Sequence, residues 1–251
     1  LRLNGANTYQ AAIAVSSGTL VAGSPTALGT TAAGTTVAAG ATLALTDGRF
    51  AAEPLSLAGT ISGVGTDTDF PGPITLTASA TIAVGAGNAL ALTGPITDGT
   101  NTFGVTKTGA GTLTLATTTA YDGPTAVSGG TLLVTGNATS TPIVVAAGAT
   151  LAGTGTTGTA TAQSGSTVAP GGASGGAANL NVFGNFALTG GSTFAAELGG
   201  TSPGTQYDRL RVAGGVTLGG ALSLALTNGF TPTVGQPFTL IDNDGTDAVT
   251  G

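Results

Sequence analysis

Apolar residues along this chain recur two apart, not at the three-to-four spacing that marks one face of a helix. The runs Thr19-Leu20-Val21, Thr42-Leu43-Ala44-Leu45, Leu55-Ser56-Leu57, Ile74-Thr75-Leu76, Thr81-Ile82-Ala83-Val84, Leu90-Ala91-Leu92 and Thr112-Leu113-Thr114-Leu115 are each broken by Gly, Asn, Asp or another small polar residue. That pattern predicts many short, half-buried strands joined by tight corners. Good helix formers other than Ala and Leu are scarce, so helices are not expected.

The strands also repeat. Leu1 to Gly23 lies over Leu113 to Thr135 at an offset of 112 residues, matching Leu1/Leu113, Leu3/Leu115, Tyr9/Tyr121, Val15/Val127 and Thr19-Leu20/Thr131-Leu132. The copies continue into Val37 to Leu43 and Val145 to Leu151, where the offset is 108, so a loop differs by four residues. Within a copy, Val15 to Leu20 returns as Val37 to Leu43 about 22 residues later. A unit of three short strands has no core of its own, but stacked units close a continuous one and pair their backbones along the stack. The expected fold is therefore all-β, a parallel β-solenoid with Thr over Thr and Val over Val in successive turns. At about 22 residues per turn and about 4.8 Å between paired strands, about eleven turns would form a rod roughly 50 Å long.

The predicted organisation is a solenoid over residues 1–206, with tandem copies near 1–112 and 113–206. Wider turns or a cap follow over 207–251, because the alternation lengthens from Tyr207 and continues through Phe230 to Ile241. Gly171 to Gly176 is the candidate bulging loop. Leu1 opens partway through a repeat, so the chain reads as a slice of a longer, exported and processed polypeptide that continues past Gly251.

Composition narrows the chemistry. The 251 residues include 45 Gly, 49 Thr and 43 Ala, only 6% are charged, and Cys, Met, His and Trp are absent. Thiolate nucleophiles, imidazole acid/base catalysis and the common zinc sites are thereby excluded. Net charge is −6, and the five cations are scattered at Arg2, Arg49, Lys107, Arg209 and Arg211. No basic face is available to neutralise phosphates, which argues against nucleic acid and anionic lipid. No apolar run approaches the roughly 20 residues of a spanning helix.

The segments NGANTYQAAIAVSSGTLVAG (Asn4 to Gly23) and GAGTLTLATTTAYDGPTAVSGGTLLVTG (Gly109 to Gly136) resemble the autotransporter-associated β-strand repeat of bacterial passenger domains. The tail from Tyr207-Asp208 to Asp242-Asn243-Asp244-Gly245 resembles the C-terminal end of such passengers. The resemblance implies a right-handed parallel β-helix, export across the envelope, and display on the bacterial surface or release from it. With three Tyr, eight Phe and no Trp the chain does not supply the aromatic girdles of a translocating barrel, which is expected elsewhere in a precursor or not at all.

Several local patterns suggest chemistry, and each has a structural competitor. Gly172-Ala173-Ser174-Gly175-Gly176 fits a nucleophile elbow, yet no His exists to serve as base. Gly153-Thr-Gly155-Thr-Thr-Gly158 fits a dinucleotide fingerprint without the helix that would meet a pyrophosphate. Asp242, Asp244 and Asp247 gather oxygen donors around a Gly bend, a candidate weak calcium site, although the later ligands of a calcium hand are missing. Asp67 and Asp69 have the alternation of a carboxylate pair, but are read as part of a loop beside Phe70-Pro71. Lys107, the single lysine, has no Asn, Asp or carboxylate placed beside it by sequence that would serve an isopeptide link. Asn137-Ala138-Thr139 is a glycosylation sequon, taken as incidental in a bacterial host. Tyr9 and Tyr121 are read as packing residues of a turn, in preference to sugar-stacking platforms.

The expected function is a non-enzymatic stalk or adhesin on a bacterial surface, meeting other surface proteins or glycans without a cofactor. A self-assembling extracellular filament or sheath is the alternative. A polysaccharide-acting β-helix enzyme is the third reading, to be tested with Asp67→Asn and Asp69→Asn.

Overall fold

In a computed structural model, residues 1–172, 176–245 and 247–251 are described. Among them there is no helix, and every named strand pairing is parallel. The chain winds as a β-solenoid whose walls are a twelve-stranded sheet, a nine-stranded sheet, and a third wall built first from six strands and then from five. The third wall changes hands between Thr119–Ala120, the last strand of the six, and Asn137–Ala138, the first of the five.

About nine turns carry a strand on all three walls, against the eleven expected from a uniform 22-residue period. The difference lies in uneven turn length. Residues 4–12 and 23–34 run without strand, so the first coils lack a nine-stranded-sheet segment. Neighbours in the twelve-stranded sheet are seventeen residues apart where Ile143 pairs with Ala160, but thirty-three where Val216 pairs with Val249. The longest turn is packed by Tyr207 against Phe238, ring centroids 5.3 Å apart, and Phe230 against Phe238 at 6.1 Å.

The alternation in sequence becomes inside and outside. On the nine-stranded sheet Leu90, Leu113, Leu132, Leu151, Val168 and Phe194 stand in register, all essentially sealed from solvent. Facing outward on the same strands, Thr112, Thr131, Thr150, Thr167 and Thr193 form an unbroken hydroxyl ladder. A second threonine ladder, Thr19, Thr42, Thr60, Thr81 and Thr106, runs along the twelve-stranded sheet. β-branched side chains suit this stacking, since their restricted rotamers lose little when ordered. Gly153 continues a core row beside Val134 at φ +134°, and a Cβ there would overlap the Val134 carbonyl oxygen. Only glycine closes that corner.

Leu132 lies mid-rod, fully buried between Leu113 and Leu151. We expect Leu132→Ala to cost about 2–5 kcal/mol, since the coils above and below are tied to their own hydrogen bonds and do not collapse into the gap. Urea unfolding with an unchanged slope is the check; a loss well under 1 kcal/mol would mean that the core is not a stacked ladder.

Candidate functional site

Few charged groups are left for surface chemistry, because several are buried as structural ties. Lys107 is the clearest. Alternation in Val105–Thr108 turns it inward, where it occupies the core row between Ile82 and Val127 and is wholly buried. Its Nζ donates to the carbonyls of Thr108 (3.2 Å), Gly109 (2.6 Å) and Gly129 (2.8 Å), lacing one corner to the next coil. Burial pushes its ammonium down to about 8.

Three acids behave similarly. Glu53 is buried; its Oε1 accepts from Thr35 Oγ1 at 2.6 Å, its Oε2 has no donor among the described residues, and burial raises its pKa against the lowering effect of the Thr35 bond. Asp98 is buried and accepts from the Phe103 amide at 2.9 Å. Asp208 accepts from the amides of Ala178 and Glu197, both at 2.9 Å, and burial outweighs those bonds to raise its pKa. Near Asp98, Tyr121 is fully buried in a hydroxyl chain: its Oη meets Thr125 Oγ1 at 2.6 Å, Thr125 meets Thr141 at 2.9 Å, and Thr141 donates to the Gly123 carbonyl at 2.7 Å. Burial pushes this phenol up to about 12. Its counterpart Tyr9 is half-buried and donates to the Ala27 carbonyl at 3.0 Å. Both tyrosines pack within turns.

The outward face of the five-stranded sheet is where polar groups and an open hollow meet. Asn179–Val182 pairs with Arg209–Val212, which pairs with Ile241–Asn243. Leu180, Leu210, Val182 and Val212 point into the core, which leaves Asn179, Asn181, Arg209, Arg211 and Asp242 outside. Arg209 is fixed, its Nε donating to Asn179 Oδ1 at 3.0 Å and its Nη1 to Asp242 Oδ2 at 3.2 Å. Arg211 reaches the same carboxylate only at 3.8 Å and stays more than half exposed. Next to this row Phe183 is 70% exposed, and a hollow of about 300 Å3 opens between it, Arg211, Ala213 and Asp242. Asn243 also lines the hollow; its Nδ2 donates to the Asp247 carbonyl at 3.0 Å, whereas its buried Oδ1 has no donor among the described residues.

The residues singled out in sequence are placed as follows. Of the calcium candidates, Asp242 faces Arg209 and Arg211, while Asp244 and Asp247 lie on the bend after Asn243. Among the described residues no three acidic side chains group closely enough to hold a metal ion. Asp69 corrects the loop expectation: it lies in the strand Thr68–Phe70, outward, ion-paired with Arg49 and accepting from Thr93 Oγ1 at 2.6 Å. Alternation carries the strand through it because Thr68 and Phe70 are both inward. Asp67 is exposed, and its amide donates to Asp47 Oδ1 at 2.9 Å. Ser174 of the elbow pattern lies outside the described residues. Glu53, Asp98, Asp208 and Phe183 were not anticipated. A signal existed for some: Thr35 and Glu53 are eighteen residues apart, one turn length, and polar residues at that spacing face each other across coils.

Against family models, the chain matches the passenger-associated-transport-repeat at residues 1–22 and 105–134. Comparison with curated proteins gives no match. Two segments of the chain thus match that repeat, one at the first coils and one at mid-rod, within a continuous parallel solenoid.

Lys107 gives a test of its place in the core. With its folded pKa about 8 and its unfolded value 10.5, the unfolded chain binds the extra proton between them. Stability should therefore rise with pH from about 8 until unfolded tyrosines ionise near 10. Thermal melts over that window should show the rise in the parent chain and not in Lys107→Met. A flat parent profile would place the ammonium in water.

Proposed function

We propose that this β-solenoid with passenger-type repeats is part of a bacterial autotransporter passenger, displayed on the cell surface or released from it as a non-enzymatic stalk or adhesin. The observation that carries this reading is that both matched segments fall within one continuous parallel solenoid. Repetition gives length at low sequence cost, and the hydroxyl ladders keep the sides wet without charge. The interior acids and the lysine hold coils together, which gives them structural work in place of chemistry.

One observation favours the filament alternative. The strand Ala221–Leu226 is exposed along its whole length, with Leu222, Leu224 and Leu226 about half accessible or more. A strand edge of this kind pairs with a further coil of the same polypeptide or with another chain. The polysaccharide-enzyme reading is weakened by Asp69, whose carboxylate is engaged by both Arg49 and Thr93.

Fusing the chain to a heterologous barrel translocator in a bacterial host tests the surface role: intact cells should bind antibody against the chain and lose that label on protease treatment. Purified chain should appear in electron micrographs as separate rods roughly 50 Å long. Retention inside the cell would overturn the surface reading, and fibres from purified chain would replace the stalk with the filament.

A further inference from the structure

The outward face of the five-stranded sheet is a grid. Strand pairing sets its rows about 4.8 Å apart and the two-residue repeat sets its columns about 7 Å apart. One column runs Asn181, Arg211, Asp242. In the next, Phe183 and Ala213 follow the paired residues Val182 and Val212 on neighbouring coils; both line the hollow, and Phe183 is 70% exposed. The result is an exposed aromatic ring beside an amide, a guanidinium and a carboxylate, all planar, on a rigid sheet.

We propose that this hollow binds one sugar unit of a neutral glycan. The inference rests on the surface-protein reading and names the chemistry of its partner. A sugar ring offers an apolar C–H face and, around its rim, adjacent hydroxyls that both donate and accept. Phe183 supplies the apolar platform. Arg211 and Asp242 supply donors and acceptors spaced for paired hydroxyls. Arg209 does not bind but holds the carboxylate in place, through its bonds to Asn179 and Asp242.

Two further observations point to a ligand of this kind. The Oδ1 of Asn243, a residue that lines the hollow, has no donor among the described residues, and an unpaired acceptor of this kind calls for one from a ligand or water. The hollow is lined by one arginine, Arg211, and two aspartates, Asp242 and Asp244, so its formal charge is negative and it favours hydroxyls over a carboxylate or sulfate. At about 300 Å3 the hollow sits at the small end of ligand pockets, a size for a single ring within a longer chain.

Saturation-transfer NMR on the purified chain, with maltose, cellobiose, lactose, chitobiose and the anionic sialyllactose as probes, tests the proposal. At least one neutral disaccharide should receive saturation. Phe183→Ala should abolish the transfer, and Arg211→Gln should weaken affinity about tenfold. Asp67→Asn, on a coil near the other end of the rod, should leave binding unchanged. Phe183 and Arg211 are exposed, so both variants should melt with the parent chain, and this is measured alongside. Transfer to no neutral sugar, transfer to sialyllactose alone, or undiminished binding by Phe183→Ala would each overturn the proposal. Those results would leave surface display and rod shape as they stand, so the two readings fail separately.

Discussion

The constraint on which this protein depends is in-register stacking: each coil exchanges backbone hydrogen bonds with the coils before and after it. Thr42 bonds to Gly18 at 2.8 Å, Thr60 to Ala41 at 2.9 Å and Thr81 to Gly59 at 3.0 Å, and the same relation recurs on the nine-stranded sheet where Thr131 bonds to Gly111 at 3.1 Å. Once register is set in this way, every inward side chain sits on its equivalent one turn away. A slip of one residue would turn the leucine rows out and the threonine rows in, exposing a large apolar area while burying hydroxyls. The strict alternation of the sequence thus selects one register over its neighbours.

Departures from the apolar interior follow from the same geometry. A polar side chain turned inward by alternation has two outlets: the corners, where carbonyls are open, or a polar residue one turn away. Lys107 takes the first, spanning to the Gly109 and Gly129 carbonyls at a corner. Glu53 takes the second through Thr35, and Tyr121 does so through Thr125 and Thr141. Burying an ammonium is costly, and three carbonyl acceptors offset that cost only locally. These ties mark particular coils in an otherwise repetitive stack and help to distinguish the correct neighbour from the next but one.

Much of the architecture was legible because period two and period twenty-two leave independent marks. Leu20, Leu43 and Leu113 could be placed inward by alternation alone, and the threonine ladders followed from stacking successive turns. Even Lys107 was implied, since alternation with Val105 turns it inward, although its chemistry suggested otherwise. The number of complete turns was less legible: strandless stretches such as 23–34 hold no alternation to count, and long terminal turns carry extra residues without extra coils. The surface site was harder still. Phe183, Arg211 and Asp242 are thirty-one or fewer residues apart from one another in successive steps, and only the paired registers of the five-stranded sheet bring them to one face.

The absence of cysteine in the natural sequence permits a direct measurement of the stack. Thr131 and Thr150 are outward partners on adjacent coils, and Thr167 is one coil further. Adjacent parallel strands bring Cα atoms about 4.8 Å apart, within disulfide reach, whereas a two-coil gap of roughly 10 Å is beyond it. Oxidation of the Thr131→Cys/Thr150→Cys double variant should therefore yield an intramolecular disulfide readily, and the Thr131→Cys/Thr167→Cys variant should stay reduced. A reduced first pair, or equal closure of both, would contradict turn-upon-turn stacking.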